Sequence, residues 1–246
     1  MNLLLLQPAD LDGKHARVEG RRAAHISRVL KKKPGDKVRA GVVNSGTCIA
    51  TIIEMDETRI ELELSPINLV AAPTTHIVLA LPRPKVISRV VAAVSSFGVK
   101  SLTLINAWRV EKAYFESPRI TQERLLEDAI LGCEQGAQVW LPEISVERSF
   151  RRYVEDLDQA QLGLNAAARV VLHPGSEASL ASALCSSYEP TMPVLLALGP
   201  EGGFIDAEVA SFERAGYKPA ELRTGPLRTE VALSAALGQL ALLREH

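Results

Sequence analysis

The stretch Val194-Leu195-Leu196-Ala197-Leu198-Gly199-Pro200-Glu201-Gly202-Gly203-Phe204 decides the fold class. Its first residues are apolar and uncharged, which suits a short strand, Val194–Gly199, buried on both faces of a parallel sheet. The glycines end that strand, and beyond them Asp206 is placed to cap a helix that Gly216 ends. Strand, glycine-rich loop and helix form the unit of open α/β sheets, whose ligands bind outside the carboxyl ends of the strands. Glycines in such a loop let backbone N–H groups approach a ligand closely. Taken alone, the segment reads as readily as a tight turn needing positive φ, because glycine-rich turns are common.

The same rhythm extends upstream. His76–Leu81 is an apolar strand, and Pro84–Phe97 a helix with Val86, Val90, Val91 and Val94 inward and Gly98 as its stop. Val99–Asn106 is the next strand. Ser117-Pro118 pairs an N-cap with a proline at the first helical position, opening a helix that Gly136 closes. Val139–Val146 and Arg169–His173 are further strands, Phe150–Gln159 and Leu180–Tyr188 further helices, and Ala220–Leu222 a very short strand. Val231–Leu243 is an uncharged apolar run of 13 residues. A membrane span needs about 20, so this run is expected as a buried helix.

Residues 1 to about 70 have a different texture. Lys37–Ala40, Cys48–Ile53 and Arg59–Leu64 are short strands separated by the turn formers Pro34-Gly35-Asp36 and Asn44-Ser45-Gly46. Ala23–Lys32 is the one helix expected there, with Ile26, Val29 and Leu30 on its apolar face. Short strands around one helix suggest a small barrel, and Ser65–Thr75, with Pro66 and Pro73, is the natural linker. Two domains follow, residues 1–70 and 74–246.

The net charge of −1 conceals an asymmetry. Residues 1–40 carry ten Lys or Arg against four acids, an excess of six positive charges. Such a segment on a near-neutral protein is the footprint of a polyanion partner. Arg21, Arg22, His25, Arg28, Lys31, Lys32 and Lys33 are the candidates to meet RNA. Aromatic residues make up only 4% of the chain, so the cores must rest on Val, Leu, Ile and Ala. Cys48, Cys133 and Cys185 lie far apart without metal-ligand spacing, and no secretory signal is evident, which fits a reducing cytoplasm. The dinucleotide, P-loop, zinc-peptidase and nucleophile-elbow patterns are absent, and nothing calls for a metal.

Two more segments could carry chemistry. Leu172-His173-Pro174-Gly175 ends a strand, and the loop Leu222–Glu230 ends in Leu227-Arg228-Thr229-Glu230 before the apolar helix. A lone histidine beside a proline turn is more often structural, and Thr with Glu suits plain helix capping.

In order, the strand ending at His173-Pro174, the Leu198–Phe204 loop and Leu227–Glu230 resemble one family, the small-subunit (16S) ribosomal RNA uridine-N3 methyltransferases (RsmE family) of the SPOUT superfamily. His25-Ile26-Ser27-Arg28-Val29-Leu30 followed by Pro34-Gly35-Asp36 is similar to that family's PUA-like RNA-binding domain, and Cys133-Glu134-Gln135 with Pro142-Glu143 fits as well. The match departs at Ser95-Ser96-Phe97-Gly98, at Gly136-Ala137-Gln138 and at Arg223-Thr224-Gly225-Pro226. The cofactor motifs are thus kept better than those expected to face RNA.

The resemblance implies an α/β fold: a SPOUT domain with a parallel sheet and a C-terminal trefoil knot, preceded by a small PUA-like β-barrel. It implies a cytoplasmic homodimer that uses S-adenosyl-L-methionine as methyl donor. The cofactor residues it points to are Leu172 and His173, then Leu198, Gly199, Pro200, Glu201, Gly202 and Gly203, and finally Leu222, Gly225, Leu227, Arg228 and Thr229. Arg228 would stabilise negative charge on the base; Glu230, Glu201 or His173 would accept its proton, with Arg228 and Glu230 the catalytic pair. The alternatives are a methyltransferase of this fold with another RNA target, and a catalytically silent RNA-binding or ribosome-assembly protein.

Overall fold

A computed structural model describes residues 2–56, 58–159, 167–185 and 192–244. The chain builds two sheets. The first contains β1 (Leu4–Leu6), β2 (Leu11–Asp12), β3 (His15–Glu19), β4 (Lys37–Val42), β5 (Gly46–Met55), β6 (Arg59–Leu64) and β7 (Asn68–Leu69), in the order β1-β4-β5-β6-β3-β2 with β7 beside β5. All pairings are antiparallel except β1 with β4. The end strands β1 and β2 are joined by only four residues, so the sheet curls back on itself. β3, β5 and β6 alternate outward polar with buried Val18, Ala50, Ile52, Ile60 and Leu62, which make its core.

The helix expected over 23–32 begins earlier and ends sooner. Gly20–Ala24 is α-helical (α1) and His25–Val29 is a π-helical turn, after which Lys31 takes a positive φ of 52°. The wider π turn breaks the 3.6-residue spacing on which the apolar face was read. Of the three residues expected on the apolar face only Ile26 is buried; Val29 is 64% exposed and Leu30 is exposed as well. The strand β1 is a bare run of leucines with no period of its own, whereas β3 does alternate, His15, Arg17 and Glu19 outward with Ala16 and Val18 buried, over only five residues.

The second sheet is wholly parallel among the described residues. It holds β8 (Thr75–Ala80), β9 (Ser101–Ile105), β10 (Glu143–Glu147), β11 (Ala168–Leu172), β12 (Val194–Leu198) and β13 (Lys218–Ala220), in the order β10-β9-β8-β12-β11-β13. The helices α2 (Pro84–Ser96), α3 (Gln122–Gly136), α4 (Phe150–Gln159), α5 (Leu180–Cys185), α6 (Asp206–Arg214) and α7 (Thr229–Leu243) connect or flank these strands. All five residues of β12 are buried, as expected of a central parallel strand.

Several boundaries differ from the sequence reading. Ser117 caps only a 3-10 turn, Pro118–Ile120, by accepting from Arg119 N at 3.2 Å; the α-helix opens after Thr121. Ala137, not Gly136, takes the left-handed position (φ 55°), while Gly136 is needed for contact, since a Cβ there would lie 2.3 Å from Ser96 O. In α2, Ile87 is buried in the place expected of Val86, which is only half-buried. The strand expected over 139–146 is hydrogen-bonded only from Glu143, and that over 220–222 is Lys218–Ala220. The supposed linker 65–75 contains β7 and the first residue of β8. Helix α5 is described only to Cys185, so the remainder of the helix expected to Tyr188 lies outside the described residues. Helix α7 is half-buried: Leu233, Ala236, Leu237 and Leu240 face inward, while Val231 and Leu242 are 46% and 58% exposed. Among the described residues no helix is long and apolar enough to cross a membrane.

Candidate functional site

Strands β11 and β12 are paired in register, Leu172 opposite Leu198, so the loops that follow them leave the sheet side by side. The β12 loop turns tightly, with Gly203 N donating to Pro200 O at 2.8 Å and Gly203 at φ 73°. A Cβ on Gly199 would lie 2.7 Å from Phe204 N, so the loop closes on itself only with glycine there. Phe204 pins its far end, 1% exposed and packed on Phe212 with ring centroids 5.1 Å apart.

Asp206 does not cap the helix that follows. Ile205 occupies the cap position, and Glu208 reaches back so that Oε2 accepts from Ile205 N at 3.0 Å. The other oxygen, Oε1, accepts from Trp108 N at 2.7 Å. The buried Glu208 therefore ties the loop after β9 to the loop after β12. Arg109, next in that β9 loop, donates to the carbonyls of Gly202 and Gly203. Arg83, at the start of α2, pairs with Glu201 at 2.8 Å. Arg83, Trp108 and Arg109 had no signal in the sequence, because each acts on the glycine loop or on Glu208 behind it from about 90 to 120 positions away along the chain; Glu208 itself sits at the third position of its helix, where a glutamate can reach back to the cap.

The β11 loop is braced from β13. His173 N donates to Ala220 O at 2.8 Å, Gly175 N donates to Glu221 Oε2 at 2.9 Å, and Arg223 pairs with Glu221 at 2.7 Å. The segment 221–228 then runs exposed or half-buried to α7, whose Thr229 is buried. Arg228 holds the cap position with extended backbone, so the Thr-Glu pair is not the cap. Its guanidinium has no hydrogen-bond or ion-pair partner among the described residues and is exposed.

These three loops enclose one cavity of about 750 Å³, inside the range of about 300–1,000 Å³ usual for small-molecule sites. Leu172 and His173 line it from β11, the whole Leu198–Gly203 segment from β12, and Leu222, Gly225, Leu227 and Thr229 from the last loop. Arg109 also lines it. Arg228 and Glu230 do not: Glu230 turns to Arg89 of α2, at 3.2 Å. His173 Nδ1 is buried without a hydrogen-bond partner in the protein. A buried polar atom left unpaired is costly, so this nitrogen marks a place for a ligand's polar atom. Apolar walls, backbone-rich glycine loops and one unpaired imidazole suit a nucleoside carrying a polar tail. Among the described residues no three His, Cys, Asp or Glu side chains gather as a metal site.

The basic amino-terminal residues divide into two groups. Arg22 is committed to the fold, since its two terminal nitrogens donate to Asp10 at 2.6 and 2.7 Å and one also to Leu5 O. Arg21 pairs with Glu134 at 2.8 Å, while Arg17 and Lys14 pair with Glu61 and Glu63 of β6. A charge count over residues 1–40 misses the neutralising acids because β6 lies beyond it in sequence and beside it in space. What remains open is Arg28 and Lys31 to Lys33, with the half-buried His25, on the π turn and the loop after it, together with Lys37 and Arg39 on β4. Of the residues expected to meet RNA, Arg22 is thus held by Asp10 with its side chain 17% exposed, and Arg21 is paired with Glu134 but 52% exposed.

A family model described as the RNA methyltransferase domain matches residues 71–241, and one described as the RNA methyltransferase PUA domain matches residues 18–65. A ribosomal RNA small subunit methyltransferase E of Treponema pallidum is 28% identical over 217 residues, 87% of this chain and 80% of its own. The ribosomal RNA small subunit methyltransferase E 1 of Borreliella burgdorferi is 24% identical over 219 residues, 87% of each chain. Among solved structures, a ribosomal RNA small subunit methyltransferase E from Neisseria gonorrhoeae bound to S-adenosyl methionine superposes with a TM-score of 0.75 at 18% identity, covering 99% of this chain and 98% of that one.

Proposed function

This chain belongs to the RNA methyltransferase family, and from that premise we propose that it methylates N3 of a uridine in small-subunit (16S) ribosomal RNA, with S-adenosyl-L-methionine as donor. The observation that carries the reading is the convergence of three separate loops, after β11, after β12 and before α7, on one cavity lined by the residues expected to hold that cofactor. The proposal includes a chain divided at 70–74 into an RNA-binding unit and a catalytic one, with a trefoil knot formed by the β12 loop and the 221–228 segment.

Bound there, S-adenosyl-L-methionine supplies a methyl group already activated on a sulfonium, so the protein's part is mainly alignment. Backbone groups of Leu198, Gly199, Gly203, Leu222 and Leu227 would hold its adenine and ribose, and His173 Nδ1 would pair with a polar atom of the same ligand or of the base. Uridine N3 lies in the base-pairing edge, so the base enters unpaired. Arg228, free and exposed at the head of α7, swings to the uracil and stabilises the negative charge that develops as the N3 proton leaves. Of the three proton acceptors considered, Glu230 is held by Arg89 outside the cavity. Glu201 and His173 line it and remain. The exposed apolar stripe of α7, with Val231 and Leu242, is where two copies join as a homodimer. No part of this scheme needs a membrane or a compartment other than the cytoplasm.

Calorimetric titration with S-adenosyl-L-methionine tests the pocket, and mass mapping of 16S ribosomal RNA from a deletion strain tests the target. Micromolar binding and one missing methyl at a uridine N3 are expected. Binding with no change in the RNA would leave a methyltransferase with another target, and no binding at millimolar ligand would favour a silent RNA-binding protein.

A further inference from the structure

Arg109 is the one lysine or arginine on the cavity wall among the described residues, and its place is fixed. Val110 N donates to Ala107 O at 2.9 Å, closing a turn whose outer residues, Ala107 and Val110, are buried. Buried Glu208 holds Trp108 N in the same turn. From that base the arginine stem lies along the glycine loop, so close that a Cβ on Gly202 would come within 2.9 Å of Arg109 Cδ. Its Nη1 donates to the carbonyls of Gly202 and Gly203. No carboxylate pairs with this guanidinium, and its Nε and Nη2 have no partner among the described residues.

The acids on the same wall are Glu201, Asp206 and Glu221. Glu201 is matched by Arg83 and Glu221 by Arg223. Asp206, at the start of α6, has no hydrogen-bond or ion-pair partner among the described residues. One unmatched cation and one unmatched anion therefore remain, both where the glycine loop runs into α6. A ligand charged with one sign only would leave one of the two unanswered, whereas a zwitterion answers both. The methyl donor carries such a group, because its methionine tail bears an α-carboxylate and an α-ammonium on one carbon. We propose that Arg109 pairs through the free edge of its guanidinium with the α-carboxylate of S-adenosyl-L-methionine, and Asp206 with the α-ammonium. The inference rests on the cofactor reading above and adds to it the two residues that hold the tail. A brace for the glycine loop is the competing role of Arg109, and it occupies Nη1 alone. An RNA phosphate on Arg109 would leave Asp206 unmatched beside it.

Calorimetric titration of the wild type, Arg109→Ala and Asp206→Asn with three ligands tests it. The ligands are S-adenosyl-L-methionine, its decarboxylated form, which lacks only the carboxylate, and methylthioadenosine, which keeps adenosine and sulfur but lacks the tail. Arg109→Ala should weaken S-adenosyl-L-methionine about 10-fold or more, the size of a lost hydrogen bond to a charged group. The two ligands without a carboxylate should stay within about 2-fold of their wild-type affinity. Asp206→Asn should weaken S-adenosyl-L-methionine and its decarboxylated form alike and spare methylthioadenosine. An aspartate in the first turn of a helix also suits the helix dipole, so Asp206 is judged by this ligand pattern and not by stability. Equal weakening of all three ligands by Arg109→Ala would reduce Arg109 to a brace of the loop and overturn the proposal. No weakening of any ligand would overturn it as well. Should Arg109→Ala fail to fold, the wild type decides: binding the decarboxylated form as tightly as S-adenosyl-L-methionine would show that no cation meets the carboxylate. A wild type that binds none of the three would remove the cofactor reading itself.

Discussion

Arg21 Nη2 donates to Glu134 Oε2 at 2.8 Å, joining α1 beside the first sheet to the last turn of α3 beside the second. Around this bridge, Asn2 N and Leu3 N both donate to Glu134 O, and Leu3 and Leu5 pack on Cys133 and Val139. The two partners are unequal: Glu134 is 2% exposed and Arg21 is 52% exposed at its side chain. Arg21→Ala leaves a buried carboxylate without its cation, whereas Glu134→Gln leaves an arginine free to turn to water. Arg21→Ala should therefore cost roughly 2–3 kcal/mol and Glu134→Gln about 1 kcal/mol. Urea unfolding of both variants decides it, and the opposite ranking would show that Glu134 is relieved from elsewhere.

The parallel sheet and the cavity floor were legible because their signals are local. A run such as Val194–Leu198 followed by glycines specifies strand and turn within a dozen residues, and the cavity lies where such strands end. What stayed hidden is contact between distant segments. Glu208 holding Trp108 N, Arg109 capping the glycine loop and Glu61 neutralising Arg17 follow from strand order, which no local period encodes. The π turn at His25–Val29 was missed for a related reason: a spacing rule presumes the helix type it seeks.

The glycines of the cavity are not equivalent. Gly199→Ala places a methyl group 2.7 Å from Phe204 N, and Gly203→Ala forces a side chain onto a backbone at φ 73°. At Gly225 nothing lies within 4 Å of the added atom. Calorimetry should show S-adenosyl-L-methionine affinity reduced at least about 10-fold in the first two variants, for roughly 1–3 kcal/mol of strain or displacement. Gly225→Ala should remain within about 3-fold of wild type. A large loss at Gly225 alone would mean that the ligand's backbone contacts come from the 221–228 segment.

The basic patch makes a separate prediction. Lys31→Glu with Lys33→Glu should weaken RNA binding and flatten its salt dependence by about 0.7–0.9 for each phosphate no longer neutralised, with cofactor affinity unchanged. Arg22→Ala should behave differently, because its guanidinium is spent on Asp10 and Leu5. It should lower thermal stability and leave the salt slope as it was. Filter binding across a salt series, with melting curves on the same samples, separates the two. Equal slopes for wild type and the lysine variant would remove the patch from the RNA interface.

Burial pushes the Cys133 thiol up to about 12. In the unfolded chain the same thiol titrates near about 8.5. The folded state therefore keeps a proton that the unfolded state releases, and this contribution is complete below about pH 8.5 and lost as pH rises towards about 12. Between pH 8.5 and 10 the wild type should lose roughly 2 kcal/mol relative to Cys133→Ala, at about 1.4 kcal/mol per pH unit. Burial also raises Tyr153 and Tyr217, but both are present in either protein and cancel in the difference. Urea unfolding at the two pH values checks it, and parallel stability losses would place the thiol in contact with water.

Arg228 and Glu230 stand two residues apart at the head of α7 and should respond in opposite ways. Arg228 has no partner among the described residues and is exposed, so its removal costs the fold little, and any effect on turnover reports charge stabilisation at the base. Arg228→Ala should reduce kcat about 100-fold or more with S-adenosyl-L-methionine affinity unchanged, the size usual for losing one oxyanion-type donor. Glu230 is paired with Arg89 away from the cavity. Glu230→Gln should alter kcat less than about 3-fold and mainly loosen the packing of α7 on α2, an exposed pair worth at most about 1 kcal/mol. Single-turnover kinetics on saturating RNA distinguishes the two residues. A Glu230→Gln variant as slow as Arg228→Ala would mean that α7 rotates on RNA binding and carries Glu230 from Arg89 to the uridine.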